Sequence, residues 1–395
     1  MVNDRMYHLG SAPNAIRALF AYGLGRKAEI GEDKVFDFSL GNPNIPAPDA
    51  VKQAIIELMD MPTDAVHGYT PGQGSPGVRN AIAASINRRF GMEATADNFY
   101  MTVGAAASLI ISISAISRPG DEIIVIAPYF SEYKVWIEQA GCVCVEVPAR
   151  EGDFQLDLAA IEAAISEKTV GIIVNSPNNP VGTVYPEESL IGLGQALCAQ
   201  QERLGRSITI ICDEPYREIV YDGVRVPFIP ALYDNTIVCY SYSKSLSLPG
   251  ERIGYIYVSE RMADAKGVYT AVCGAGRALG YVCAPSLFQH VIEGCVDVPA
   301  DVAAYAENRR VLTEGLSRLG YEFVKPEGAF YLWVKALEPD AEAFAKRAKA
   351  HELLIVPSTC FGCDGWVRIG YCVSKKTIED ALPAFEALMA QYRHQ

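Results

Sequence analysis

The chain is short of positive charge. Its 34 lysines and arginines stand against 47 aspartates and glutamates, a net charge of −13 over 395 residues. That balance argues against nucleic acid and against an anionic membrane as partners, because both reward basic patches. Small anions remain open to local arginines. Long apolar runs are missing as well: no stretch reaches the length a membrane span needs. The most apolar segment, Ala105 to Ile116, is interrupted by Ser108, Ser112 and Ser114 and reads as a buried helix. The eleven cysteines follow no small-domain framework. With no signal-peptide pattern they are expected to be reduced thiols of a cytoplasmic protein. Cys360-Phe-Gly-Cys363 is the only Cys-x-x-Cys and lacks the second pair or nearby histidines of a structural zinc site, so no metal is expected. Internal repeats and low-complexity tracts are also absent.

What is present is an ordinary globular balance, half the residues hydrophobic, in a chain long enough for about two domains. From about residue 100 short β-branched runs alternate with helical stretches. Candidate buried strands are Glu122–Ala127, Cys142–Val147, Val170–Asn175, Ile208–Cys212, Thr236–Ser241 and Gly254–Val258. This is the pattern of an α/β fold with helices on both faces of a mostly parallel sheet. Past residue 290 the texture changes. A long helix over Ala300–Leu319 precedes Ala329–Val334, Leu353–Val356 and Trp366–Tyr371, as in a smaller α+β domain. The first 45 residues, with Phe36-Asp-Phe-Ser-Leu40, are too few for a domain and are expected to pack on the C-terminal one. The expected division is an arm over 1–45, a large domain over 46–290 and a small domain over 291–395.

Gly72-Gln-Gly74-Ser-Pro-Gly77 matches G-x-G-x-x-G, and a helix with Val78, Ile82, Ile86 and Phe90 on one stripe follows it. A dinucleotide site also requires a strand directly before the glycines. The residues before these are turn-like, and Pro76 removes an amide that a pyrophosphate would use. A nicotinamide enzyme is therefore not expected.

The most informative run is Ser241-Tyr-Ser243-Lys244-Ser-Leu-Ser-Leu-Pro-Gly-Glu-Arg252. It sets an amine beside two hydroxyls with a guanidinium eight residues on. Hydroxyls and an arginine suit a phosphate, and an amine suits a carbonyl. Together they suggest pyridoxal 5′-phosphate bound as a Schiff base. Other suggestive residues also lie where strands end, which is where open α/β sheets bind ligands. Asp213 and Tyr216 follow Ile208–Cys212. Asn179, before Pro180, follows Val170–Asn175. Phe130 follows Glu122–Ala127, and Gly104-Ala105-Ala106 opens the apolar helix, whose positive end can cradle a phosphate. Taken singly, each has a bland alternative as a cap, turn or core residue; their order and common location carry the reading.

With these motifs, Tyr69 and its glycine-rich turn, and Arg368 in Trp366-Val-Arg-Ile-Gly370, the chain resembles fold-type I pyridoxal-phosphate enzymes of the class I/II aminotransferase family. The resemblance runs from about residue 36 to 390. It implies an aminotransferase of aspartate aminotransferase type, moving an amino group from an L-amino acid to a 2-oxo acid by a ping-pong mechanism. Lys244 resembles the Schiff-base lysine, and Asp213 the carboxylate paired with the pyridinium nitrogen. Asn179 and Tyr216 look like donors to the phenolic oxygen, and Phe130 occupies the place of the ring stacked on the cofactor. Gly104, Ala105, Ala106, Ser241, Ser243 and Arg252 match the phosphate cradle, to which Tyr69 is lent by the other subunit of a homodimer with shared sites. Arg368 matches the arginine that grips the substrate α-carboxylate, and Gly41 the glycine lying against the same group. Arg277 lies near where dicarboxylate-specific relatives place a second arginine. Two departures stand out. Asn179-Pro-Val181-Gly replaces the usual Asn-Pro-Thr-Gly, and alanines fill the phosphate turn where relatives often carry a hydroxyl or lysine. The same scaffold also serves carbon–sulfur β-lyases and other α-carbanion chemistry, which these residues separate poorly.

Overall fold

A computed structural model describes residues 2–11 and 15–393. Contacts divide the chain into two compact units: residues 43–304 with 327–329, and residues 1–42, 305–326 and 330–395.

The larger unit is built on a seven-stranded sheet. Its spatial order is Phe99–Thr102, Gly254–Val258, Thr236–Ser241, Thr209–Asp213, Thr169–Asn175, Glu122–Ala127 and Val143–Pro148. Only Gly254–Val258 runs against its neighbours. Most of these strands are apolar along their whole length because helices cover both faces. The pleat sorts the side chains by twos. Ile172, Val174, Ile210, Cys212 and Val238 join one core with the helices Pro76–Phe90 and Glu187–Leu204. Ile173, Ile211, Ile237 and Cys239 join the other, with the helices Ala105–Ile116 and Glu132–Gln139. Ala105–Ile116 is thus the buried helix its composition indicates. The glycine-rich turn is preceded by the short helix Thr63–His67 rather than by a strand.

The smaller unit carries two sheets. Phe36–Asp37 pairs in parallel with Leu353–Leu354. Val356–Pro357, Trp366–Gly370, Tyr331–Lys335 and Phe323–Val324 form an antiparallel sheet in that order. The expected single strand Leu353–Val356 is therefore two pieces, because the chain on either side of Ile355 pairs with a different sheet. The helix begins at Ala303, three residues later than expected. Residue 290 is also not where the contacts divide. The helix Ser286–Cys295 packs on Asp49–Met59, Thr63–His67 and Pro76–Phe90 and so belongs with the larger unit. No helix among the described residues is long and apolar enough to cross a membrane.

Candidate active site

Strand register assembles the first part of the site. Asn175, Asp213 and Cys239 are lateral neighbours on three adjacent parallel strands. Period two puts all three on the face of Ile173, Ile211 and Ile237, where Tyr133 sits. The Nδ2 of Asn175 donates to the carbonyl of Asp213 at 2.8 Å, and its Oδ1 accepts the backbone N–H of Asn179 at 2.7 Å. One buried amide thus ties the turn carrying Asn179 to the strand end carrying Asp213. Sequence reading passed over Asn175; counting by twos from Ile173 would have put it on this face.

Asp213 is 5 % exposed. Its Oδ2 accepts a hydrogen bond from the Tyr133 phenol, while Oδ1 is buried with no hydrogen-bond partner among the described residues. Burial pushes the carboxyl up to about 7 from 3.8. The Tyr133 hydrogen bond pulls it down, and the neighbouring Glu214 charge adds to the rise. Glu214 is itself paired with Arg217, with Nη2 to Oε1 at 2.5 Å.

The second part brings an arginine to a helix N-terminus, an arrangement suited to an anion. Gly104 caps the helix Ala105–Ile116 at φ 94°, a left-handed conformation that glycine adopts without penalty. A Cβ there would lie 2.8 Å from Nη2 of Arg252, so any side chain would push against the guanidinium that packs on this helix start. Helix geometry leaves the first amides, those of Ala105 and Ala106, without intrahelical acceptors. Arg252 is exposed and donates through Nη1 to the Pro249 carbonyl at 2.9 Å. Ser241 ends its strand, and its Oγ accepts the N–H of Ser243 at 3.3 Å. That contact starts the one-turn helix Tyr242–Ser245 on which Lys244 rides, half-buried.

Phe130 packs edge-on against Tyr133 at 5.7 Å and Trp136 at 6.0 Å. Tyr216 is buried just beyond the Asp213 strand. Tyr69 and Arg277 are not drawn into this cluster. Tyr69 is fully exposed, and Arg277 stands exposed in the last turn of the helix Ala265–Ala278.

In the smaller unit Arg368 is 2 % exposed. Its Nη2 donates to the Ser39 carbonyl at 2.7 Å, and its guanidinium lies 4.5 Å from the Tyr331 ring centre and 4.9 Å from that of Phe361. Gly41 lies against Tyr331, whose hydroxyl would be 1.8 Å from any Cβ at that position. A side chain at residue 41 would therefore displace the ring that supports Arg368.

The donors and acceptors present suit pyridoxal 5′-phosphate. The orphaned Oδ1 of Asp213 fits a protonated ring nitrogen, the helix N-terminus at Gly104 beside Arg252 fits a phosphate, and Lys244 supplies a primary amine.

Comparison with known proteins points the same way. A family model described as aminotransferase class I and II matches residues 33–385. The chain is 32 % identical over 361 residues to a probable aspartate/prephenate aminotransferase of Thermus aquaticus, covering 87 % of this chain and 89 % of that protein. It is 30 % identical to the aspartate/prephenate aminotransferase of Thermus thermophilus, covering 96 % and 97 %. An amino transferase from Eubacterium rectale superposes with a TM-score of 0.97 at 55 % identity, covering 99 % of each chain. An aspartate aminotransferase from Thermus thermophilus with maleate gives 0.86 at 27 % identity, covering 98 % and 99 %.

Proposed function

Because the chain belongs to the class I and II aminotransferases, we propose that it moves an amino group from an L-amino acid to a 2-oxo acid by a ping-pong mechanism, with pyridoxal 5′-phosphate tethered at Lys244. The observation that carries this reading is the carboxylate of Asp213, buried, with one oxygen pinned by a phenol and the other without a partner among the described residues. Such an anion calls for a cation with a single aimed proton, and a protonated pyridine nitrogen is one.

When bound, the cofactor supplies an aldehyde that amines attack and a cationic ring that withdraws electron density from the substrate α-carbon. Asp213 keeps the ring nitrogen protonated, since a neighbouring opposite charge favours the charged form. Asn179 and Tyr216 donate to the phenolic oxygen. With the cofactor bound, the Lys244 Nζ would take the α-proton as base and return it as acid. Gly104, Ala105, Ala106, Ser241, Ser243 and Arg252 would hold its phosphate, and Phe130 would supply an aromatic contact to its ring.

Arg368 holds the substrate α-carboxylate through its forked donors, in a plane set by the Tyr331 and Phe361 rings. Arg368→Lys keeps the charge and loses the fork. KM for both amino and oxo acid is expected to rise about tenfold to a hundredfold, with a smaller change in kcat. Unchanged KM values would remove this role.

The direct test is a panel of amino donors and 2-oxo acids. Transfer that depends on the oxo acid is expected. Pyruvate release from cysteine conjugates without transfer would instead establish the β-lyase alternative. Relatives named for aspartate and prephenate, and one solved with maleate, direct the panel toward dicarboxylates, with Arg277 as this chain's candidate for a second carboxylate. Arg277→Ala should then raise KM for aspartate or glutamate about tenfold and leave alanine unaffected; KM values unchanged from the parent for all three would dismiss it. A homodimer completes the proposal, with the exposed Tyr69 side chain lent to the phosphate of a second copy. A fully active monomer by light scattering would refute that part.

A further inference from the structure

Among the described residues, Tyr133 is the one side chain seen to bond the carboxylate of Asp213. It lies in the first turn of the helix Glu132–Gln139, is 2 % exposed, and donates its phenolic proton to Oδ2 of Asp213. Its ring has little freedom to move. Tyr129 stacks at 6.4 Å, Phe130 meets it edge-on at 5.7 Å, and Trp136 lies at 6.2 Å. Its backbone N–H is bound to the Phe130 carbonyl at 3.0 Å. The donor is thus built into the wall of the unit and aimed at one oxygen of a carboxylate whose other oxygen is orphaned.

We propose that Tyr133 is a positioning residue that acts through Asp213: it pins Oδ2, so that Oδ1 is presented to the ring nitrogen of the cofactor and the carboxylate stays charged. This rests on the reading that Asp213 faces that nitrogen. A carboxylate with both oxygens free can rotate about its Cβ–Cγ bond and share its charge between two poses; one pinned by a buried phenol cannot. A phenol donates to an ionised carboxylate, whereas with a protonated one it either donates to the carbonyl oxygen or accepts the carboxyl O–H; it favours the ion because charge-assisted hydrogen bonds are stronger.

The surroundings show why a donor is needed. Besides Tyr133, the titratable groups seen to act on or respond to Asp213 among the described residues include Glu214 and the thiols of Cys212 and Cys239, and Tyr216 acts on Tyr133. Burial pushes both thiols up, so they carry no charge to help or oppose it. The Glu214 charge opposes ionisation and is offset by Arg217. The hydrogen bond from Tyr133 is the one influence among these that favours the carboxylate ion.

Tyr133→Phe keeps the ring and removes the proton donor. The measurement is the dissociation constant of pyridoxal 5′-phosphate, added back to stripped protein and followed by absorbance from pH 6 to 9. In the parent, affinity is expected to fall as pH drops through about 7, where buried Asp213 takes up its proton. In Tyr133→Phe that limb should move up by about one pH unit, with binding about tenfold weaker at pH 7. Tyr129→Phe removes a hydroxyl from the same aromatic group without touching Asp213, and should bind like the parent. If Asp213→Asn binds poorly while Tyr133→Phe keeps both the parent affinity and the parent pH limb, Tyr133 has no positioning role, although Asp213 keeps its own. If Asp213→Asn binds as tightly as the parent, the assignment of Asp213 fails and this inference with it. Should Tyr133→Phe fold poorly, 3-fluorotyrosine at position 133 keeps shape and hydroxyl while making the phenol a stronger donor. The limb is then expected to move to lower pH, and an unmoved limb overturns the proposal.

Discussion

Replacing Lys244 by alanine should reduce turnover by at least about 10⁴-fold and remove the visible absorbance of the tethered cofactor. Under the proposed mechanism both effects have one origin: the Nζ would be at once the tether and the proton carrier, leaving no other group to take over either task. The two tasks can be separated experimentally. A small primary amine added to Lys244→Ala protein should restore part of the transfer rate, in proportion to its concentration and basicity, without restoring the tether. Steady-state rates measured with and without the amine check this. Turnover and absorbance that both survive the substitution would exclude Lys244 from the chemistry.

Asp213→Asn should act in opposite directions on activity and stability. Transfer is expected to fall by about 10³-fold, because a neutral amide cannot keep the ring nitrogen cationic. The cofactor-free protein should become more stable at pH 8. Burial raises the Asp213 carboxyl from 3.8 to about 7 in the fold. A raised carboxyl contributes stability that is present below about pH 4 and lost as pH climbs through about 7. A rise of that size corresponds to roughly 4 kcal/mol of cost for carrying the ion uncompensated. Calorimetry of stripped proteins should therefore show the Asp213→Asn variant melting several degrees higher than the parent at pH 8, with the gap narrowing toward pH 5. Equal melting temperatures at both pH values would mean that Asp213 is not held as an uncompensated buried anion. Added pyridoxal 5′-phosphate should restore stability to the parent at pH 8 and much less to the variant. A functional site that costs the empty fold stability is the expected signature of a carboxylate waiting for a cationic partner.

Local composition was enough to read most of the large sheet. Glu122–Ala127, Thr236–Ser241 and Gly254–Val258 stand out as short β-branched runs between punctuating residues, and the structure has strands with those bounds. Phe99–Thr102 was not legible, because four residues with one β-branched member carry little period-two signal. Leu353–Val356 reads as one strand but is divided between two sheets. Which partner a strand pairs with depends on residues more than 300 positions away at Phe36–Asp37, and no local pattern encodes that. The second unit boundary was displaced for the same reason: Ser286–Cys295 is an amphipathic helix in either unit, and only its packing on Asp49–Met59 and Pro76–Phe90 decides the matter.

The same division runs through the candidate site. Chemistry-bearing residues at strand ends, such as Asp213, Asn179 and Lys244, could be named from the sequence, because the kinds of side chain and their order along the chain restrict what they can do. What the sequence could not supply was orientation. The hydrogen bond from Asn175 to Asp213, the one it accepts from Asn179, the clamp of Tyr133 on Oδ2, and the close approach of Arg252 to Gly104 all depend on register and on helices packed from distant segments. Residue identity determines which protons and charges are available; only the packed sheet decides which oxygen of Asp213 is satisfied and which is left for a ligand, because burial and hydrogen-bond geometry are properties of neighbours in space.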